Sequence, residues 1–276
     1  MKLSFSATQK QRLVELDAAG DLDERKFSSA TERDLSFNSL SQELIQRNKR
    51  RLEKLRESTH RPAIREMESL LVRILNQAGF AEVTTPTILS RGMLTRMGIT
   101  KNHPLWEQVY WLENGNCLRP MLAPNLYHLM GYLGRLWPRP VRIFEIGQCF
   151  REESKGTKHL SEFTMLNLVE MGITGDPGTR LAELAELIMG GLGLTYRLVV
   201  EDSEVYRNTI DVVVDDLEIA SGATGPHPLD ANWNISENWV GLGFGLERLV
   251  MMKEGFHNIR RVGRSLIYLD GARLNV

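Results

Sequence analysis

Arg151 and Glu153 stand where an apolar run gives way to a charged loop, inside residues 143–171, IFEIGQCFREESKGTKHLSEFTMLNLVEM. An arginine neutralises phosphate, a carboxylate accepts from an amino group, and Phe163 offers an aromatic face to a base. The loop adds Lys155, Lys158 and His159, and its length exceeds the two to five residues of an ordinary hairpin turn, which suits binding a polyanion. Such a set is what ATP requires, although an exposed hairpin with a mixed-charge tip reads from the same residues. A second stretch carries glycines at 241, 243 and 245. On a strand these share one face and strip it of side chains, leaving a bare surface for a flat ligand or for close backbone packing. Arg248 then falls at the start of the next helix, a place that favours phosphate. The spacing matches neither the dinucleotide GxGxxG nor the GxxxxGK[ST] loop, so those nucleotide folds find no support.

Several elements must position these groups. Val141 and Ile143 alternate with Arg142, and Phe163, Met165, Asn167 and Val169 alternate with Thr164, Leu166, Leu168 and Glu170. Both runs have the period of a strand and predict an antiparallel pair. Residues 209–214 and 217–220 are strand-like around the turn pair Asp215-Asp216, with Glu218 and Ser221 in the second run. Pro124 opens a helix whose Leu126, Tyr127 and Met130 form an apolar stripe, core or pocket lining. Asp176-Pro177 caps a further helix that Gly190-Gly191 ends.

Upstream, Ser6 with Gln9 is a capping-box pattern, and Ser29 with Glu32 repeats it. A helix over 40–57 carries Arg47, Lys49, Arg50, Arg51, Lys54 and Arg56, a face for a phosphate backbone or a solvated surface. A core-facing helix spans 63–78 with Gly79 as its stop. Residues 80–89 are β-prone, but Pro86 confines them to a sheet edge, either a dimer surface or a protected margin. Residues 108–112 form another strand candidate. The chain therefore divides into a helical appendage, 1–60, and a larger α+β domain, 61–276.

Composition narrows the function further. The chain has 276 residues, 42% of them hydrophobic, enough for a real core. A formal charge of -1 excludes a uniformly basic nucleic-acid coat, so nucleic-acid contact comes from local patches. Two cysteines, Cys117 and Cys149, make neither a disulfide framework nor a zinc site, which fits a reducing cytoplasm. No apolar run approaches a signal sequence or membrane span, so no membrane partner is expected.

The segments FREE (150–153), the loop and the strand from Phe163 resemble motif 2 of the class II aminoacyl-tRNA synthetases, and GLGFGLERL (241–249) resembles their motif 3. The helix from Ala63 with the strand ending at Pro86 resembles motif 1, the dimer-forming element. RPMLAPNLY (119–127), HLSEFTMLNLVEMG (159–172), GPHPLD (225–230) and FGLERL (244–249) are similar to one compact branch of that family without a separate N-terminal tRNA-binding domain. The resemblance covers nearly the whole chain. It implies a class II antiparallel sheet flanked by helices, ATP with Mg2+, a cognate tRNA, no DNA and a homodimer. It makes Arg151 and Arg248 the catalytic cations, with Arg151 on the α-phosphate and Glu153 on the adenine amino group. Phe163 and Arg248 enclose the adenine, His159, Leu160 and Gly243 complete the ATP site, and Glu218 and Ser221 hold magnesium. The amino-acid pocket maps to Ala123, Leu126, Tyr127, Met130, Asn167, Val169, Tyr206, Ala223, Trp239 and Gly241, with Asn167 reading a side-chain amide on a long hydrocarbon chain. Simple alternation puts Glu218 and Ser221 on opposite faces, so a bulge or strand end is expected between them. The rival expectations are a phenylalanyl-like synthetase and a synthetase-like tRNA binder without catalysis.

Overall fold

In the computed structural model, residues 3–57, 59–152, 160–203 and 205–276 are described. Glu153, Lys155, Lys158 and His159 lie outside them. The described residues form two compact units, residues 3–65 with 250–276, and residues 66–152 with 160–249.

The first unit is built on two capped helices. Ser6 and Gln9 cap each other reciprocally at the start of α1 (Ala7–Glu15), and the Ser29 side chain accepts from the Glu32 amide at the start of α2 (Ala30–Lys54). The second helix thus begins ten residues before the 40–57 segment, at the cap that Ser29 announces. Phe5, Leu13, Leu16, Leu22, Phe27 and Leu44 pack into a small core. Asn48 is buried, and its carboxamide oxygen accepts from Arg261 Nη2 at 3.0 Å and the Arg273 amide at 2.8 Å, tying the C-terminal segment to α2.

In the second unit, α3 (Ala63–Gln77) stops at Gly79, whose φ of 79° terminates it. The stretch 80–89 is not one strand. β1 (Ala81–Glu82) and β2 (Ile88–Ser90) flank Pro86, and β2 leaves to pair with β3 (Asn116–Leu118). Around the proline, the carbonyls of Thr85 and Pro86 accept from side chains instead of strands. Between them α4 (Arg91–Arg96) packs, and 104–108 forms a 3-10 turn opened by Pro104, so the expected strand at 108–112 reduces to one bridge at Trp111.

α5 (Ala123–Leu133), β4 (Val141–Phe150) and β5 (Glu162–Met171) follow, then α6 (Pro177–Leu192), which runs through Gly190-Gly191 and stops at Gly193, φ 69°. A Cβ on Gly191 would come within 2.7 Å of Ile74 Cδ1, so that glycine lets α6 lie close to α3 instead of ending it. The remaining strands are β6 (Arg197–Ser203), β7 (Arg207–Val214), β8 (Leu217–Gly225) and β9 (Trp239–Gly245), and α7 (Leu246–Glu254) continues from β9. β6 is exposed along most of its length and has no clean alternation, which is why the sequence does not announce it.

The seven-stranded sheet has the order β1-β4-β5-β9-β8-β7-β6, antiparallel except where β1 meets β4. This is the antiparallel sheet flanked by helices that the family resemblance implies, with one parallel pair added at the β1 edge. α6 turns Leu181, Leu184, Ala185, Ile188, Met189 and Leu192 inward at helical spacing. Leu181 reaches the position a Cβ on Gly222 would occupy, so α6 covers the face that carries Gly222 and Leu242. α5 lies against the other face.

Candidate active site

Register places the chemistry-bearing residues in cross-strand rows on the face opposite α6. Glu145, Asn167, Gly243, Ser221 and Asp211 align across β4, β5, β9, β8 and β7. One step along, Ile143, Val169, Gly241 and Ala223 align, and then Val141, Met171, Trp239 and Gly225. In the opposite direction come Gly147, Met165 and Gly245, and then Cys149 and Phe163. Side chains two apart on a strand share a face, so these rows are one surface.

At the Phe163 end the groups are charged and accessible. Arg151 donates from Nε to the Pro120 carbonyl at 2.9 Å, and its guanidinium lies 5.4 Å from the Phe163 ring centre. Arg248, in the first turn of α7, donates to the Glu218 carbonyl at 2.8 Å and lies 3.3 Å from that residue's carboxylate. Its neighbour Glu247 is buried and takes the Thr164 amide on both oxygens at 2.9 Å, which clamps the start of α7 to β5.

A register shift between Val212 and Val213 leaves Ile219 as the extra residue of β8. It is the bulge expected between Glu218 and Ser221, and it returns both to the same side of the strand. Ser221 Oγ donates to Asp211 Oδ1 at 2.7 Å. An accessible carboxylate and a hydroxyl beside a second carboxylate are hard oxygen donors of the kind magnesium shares with phosphates. Glu218 and Ser221 therefore fit that ion, and Asp211, unnoticed in the sequence, orients the hydroxyl.

At the Trp239 end the surface is buried and apolar. Leu126, Tyr127, Met130, Val169, Ala223 and Trp239 gather in one hydrophobic cluster, with Ala123 and Tyr206 partly buried against it. Tyr127 stacks on Trp233 at 5.7 Å and meets Trp239 edge-on at 5.5 Å; Tyr206, in the turn between β6 and β7, meets Trp239 at 6.2 Å. Four polar atoms here are buried without a hydrogen-bond partner among the described residues, Tyr127 Oη, Asn167 Oδ1, Asp230 Oδ1 and Trp233 Nε1. Burial, then the neighbouring Tyr206 and Asp230, push the Tyr127 hydroxyl far above its usual pKa, and burial raises that of Tyr206, so both stay protonated as donors. Asn167 lies over the bare strand: a Cβ on Gly243 would come within 3.1 Å of its Nδ2.

At the β4 end of the row with Asn167 lies a buried ion pair that the sequence does not single out. Arg119 Nη1 donates to Glu145 Oε1 at 2.7 Å and its Nε to the Gln148 carbonyl at 2.7 Å; Thr85 donates to both Glu145 oxygens, at 3.2 and 2.6 Å. A Cβ on Gly147 would lie 2.0 Å from Arg119 Nη2, so only glycine lets the guanidinium cross the strand. Asn125, on α5, donates to Thr85 and to the Pro86 carbonyl, fixing the pocket helix to the same knot. Leu160 and Gly241 sit on the described surface without polar contacts that assign them a role. Glu153 and His159 lie outside the described residues.

Comparison with known proteins adds the following. The family tRNA synthetases class II (D, K and N) matches residues 42–189. A solved pyrrolysyl-tRNA synthetase from Desulfitobacterium hafniense is 51% identical, with 99% of each chain covered and a TM-score of 0.92. A second structure, of Desulfitobacterium hafniense PylSc, is 50% identical over 99% of this chain and 96% of that one, TM-score 0.90. Among curated proteins, the lysine--tRNA ligase of Carboxydothermus hydrogenoformans is 33% identical over 153 residues, 49% of this chain. That match spans only 28% of the lysine ligase's length.

Proposed function

The chain belongs to the class II tRNA synthetases, and from that premise we propose that it activates pyrrolysine, a long N-ε-acylated lysine, with ATP and transfers it to a cognate amber-suppressor tRNA. The observation that carries this reading is the continuity of one sheet face, charged at Phe163 and buried at Trp239, with Asn167 in the row between. An apolar cavity with a few placed polar atoms is what a hydrocarbon chain bearing one amide needs.

In this reading the amino-acid carboxylate attacks the α-phosphorus of ATP, the bond to the bridging oxygen breaks, and pyrophosphate leaves. Arg151 exchanges the Pro120 carbonyl and the Phe163 ring for phosphate oxygens, and Arg248 leaves Glu218 to cover the adenine that rests on Phe163. Glu153, His159, Leu160 and Gly243 complete the nucleotide site. The terminal ribose hydroxyl of tRNA then attacks the adenylate carbonyl and AMP departs. No protein nucleophile takes part, so the chain contributes positioning and electrostatics. Magnesium, held by Glu218 and Ser221, supplies charge neutralisation on the phosphates when bound. Asn167 donates its amide N–H to the side-chain carbonyl of the substrate; Tyr206 and the walls from Ala123, Leu126, Tyr127, Met130, Val169, Ala223, Trp239 and Gly241 enclose the hydrocarbon.

A homodimer in the cytoplasm belongs to the same proposal, with α3 and the segment around Pro86 as the pairing element. No described helix is long and apolar enough to cross a membrane. The test is amino-acid-dependent pyrophosphate exchange across lysine derivatives and phenylalanine, with and without tRNA. Exchange driven by N-ε-acylated lysines supports the reading, exchange driven by phenylalanine alone replaces it with a phenylalanyl-like enzyme, and no exchange with any amino acid leaves a tRNA-binding protein.

A further inference from the structure

Asp230 has no part in the chemistry above, yet its environment is that of a working residue. It is 4% exposed, and among the described residues no cation pairs with it. One carboxyl oxygen, Oδ2, accepts from Trp239 Nε1 at 2.9 Å and from the His227 amide at 2.6 Å. The other, Oδ1, is buried without a partner, beside Tyr127 and Tyr206. The backbone around it is rigid: the Asp230 amide donates to the His227 carbonyl at 2.9 Å, the Leu229 amide donates to His227 Nδ1 at 3.2 Å, and the Ile235 amide returns to the Asp230 carbonyl at 3.1 Å. Burying a carboxylate without a cation is costly, so the two N–H groups on Oδ2 are what hold it there.

Oδ2 in turn holds Trp239. This indole is a wall of the amino-acid pocket, touching Tyr127 and Tyr206 edge-on. Its pose depends on two features from elsewhere in the chain. A Cβ on Gly225 would fall 1.9 Å from Trp239 Nε1, so the missing side chain is the space in which the ring lies. Asp230 then fixes which way the N–H points. Without that acceptor the indole loses its only described hydrogen bond and gains freedom to turn about its side-chain torsions.

We infer that Asp230 is a specificity-determining positioning residue, which sets the size of the amino-acid pocket by locking the Trp239 indole across Gly225. The inference rests on the pocket assignment above. It says that the breadth of side chains accepted is controlled from a residue behind the pocket wall.

The experiment compares pyrophosphate exchange for N-ε-acyl-lysines of increasing acyl size in the full chain and in Asp230→Ala, Asp230→Asn and Trp239→Phe. Asp230→Asn keeps a carboxamide oxygen for both N–H donors, so its large-to-small ratio of kcat/KM stays near that of the parent. Alanine frees the indole and should move the ratio toward larger acyl groups by about tenfold, the scale of small changes in an apolar pocket, with the KM for ATP unchanged. Trp239→Phe removes the donor while keeping a ring, so it shifts the ratio in the same direction and serves if the alanine variant does not fold. A second readout is independent of activity. The Trp239 indole N–H resonance, assigned by its loss in Trp239→Phe, should keep its hydrogen-bonded shift in Asp230→Asn and lose it in Asp230→Ala. An unchanged substrate ratio in both folded Asp230→Ala and Trp239→Phe, or an indole resonance indifferent to Asp230→Ala, overturns the inference. If the parent enzyme exchanges with none of the derivatives, the pocket assignment fails instead, and the indole resonance still decides whether Asp230 holds Trp239.

Discussion

Three groups of polar side chains lie along one sheet face, and they differ in how they are partnered. At the Phe163 end, Arg151 and Arg248 are held by contacts that a ligand can replace, a backbone carbonyl, a ring face and an exposed carboxylate. At the Trp239 end, Tyr127 Oη and Asn167 Oδ1 are buried with no partner. Between them, at the β4 end of the Asn167 row, Arg119 and Glu145 are buried and bonded to each other and to Thr85 and Gln148. Exchangeable contacts suit a charged, hydrated guest such as a nucleotide; unpaired buried atoms suit a mostly apolar guest with one or two polar groups; a closed network suits no guest and holds the frame. Partnering, more than residue type, separates function from scaffold here.

The closed network gives the largest effect. Arg119→Met leaves the Glu145 carboxylate buried without its cation, and breaking such a pair from one side costs about 3–5 kcal/mol. Denaturant unfolding should show that loss while any folded enzyme keeps its ATP affinity. A neutral outcome would show that the pair is no more structural than the exchangeable ones.

Arg151→Ala comes next. It removes one preorganised cation from the phosphate site, and losing a single such donor lowers turnover by about 10²–10³-fold. The replaceable contacts of Arg151 with the Pro120 carbonyl and the Phe163 ring predict an unfolding midpoint close to that of the parent. Pyrophosphate exchange at parental rates would remove Arg151 from the site, and a collapse in stability would move it into the scaffold group.

Asn167→Ala tests the unpaired group. Its carboxamide oxygen makes no bond in the free protein, so stability should hold, while the preference for amide-bearing substrates falls by about threefold to tenfold, the scale of one neutral hydrogen bond. The KM for ATP stays constant. An unchanged amino-acid profile would show that the Asn167 carboxamide, whose N–H is the donor proposed for the substrate carbonyl, is not a reader.

How much of this is legible in the sequence follows the same division. The nucleotide end sits in two short segments, 150–163 and 241–248, where an arginine before a charged loop and glycines spaced by two are visible side by side. Even the bulge at Ile219 is foreseeable, because Glu218 and Ser221 need one to share a face. The pocket end is assembled from α5, β5, the β6–β7 turn, β8 and β9, and its apolar residues have the periodicity of any core; only the family resemblance picks them out. Arg119, Glu145, Asp211 and Asp230 are missed because each draws its meaning from a partner distant in the chain or on another strand. A cue for Asp230 exists in the His227-Pro-Leu-Asp spacing, which has the form of a helix-capping pair. The misread strands at 80–89 and 108–112 both lie beside a proline: at 85–86 side chains take the carbonyls, and after the turn opened by Pro104 only Tyr110 and Leu112 are left to bond to β3.

The smallest expected effect lies in the unit that holds the N-terminal helices, where the sequence offers the basic run Arg47 to Arg56 for a phosphate backbone and the C-terminal segment adds Arg261. The same criterion of partnering divides them. Arg261 is 3% exposed and donates to Asn48 and to the Glu15 carbonyl, Arg47 pairs with Asp17, and Arg51 donates to the Asp270 carbonyl and pairs with Glu254. Lys49 and Arg50 are exposed on α2 without such ties. Reversing charge at Lys49 and Arg50 should therefore raise the KM for tRNA by about threefold to tenfold at low salt, an effect that shrinks as salt rises because it comes from released counterions. Adenylate formation, measured without tRNA, should not change. Arg261→Glu instead should reduce stability before it touches tRNA kinetics, because it buries a carboxylate against the Glu15 carbonyl. Equal tRNA effects from both substitutions, with no loss of stability in the second, would show that burial and pairing do not sort these cations.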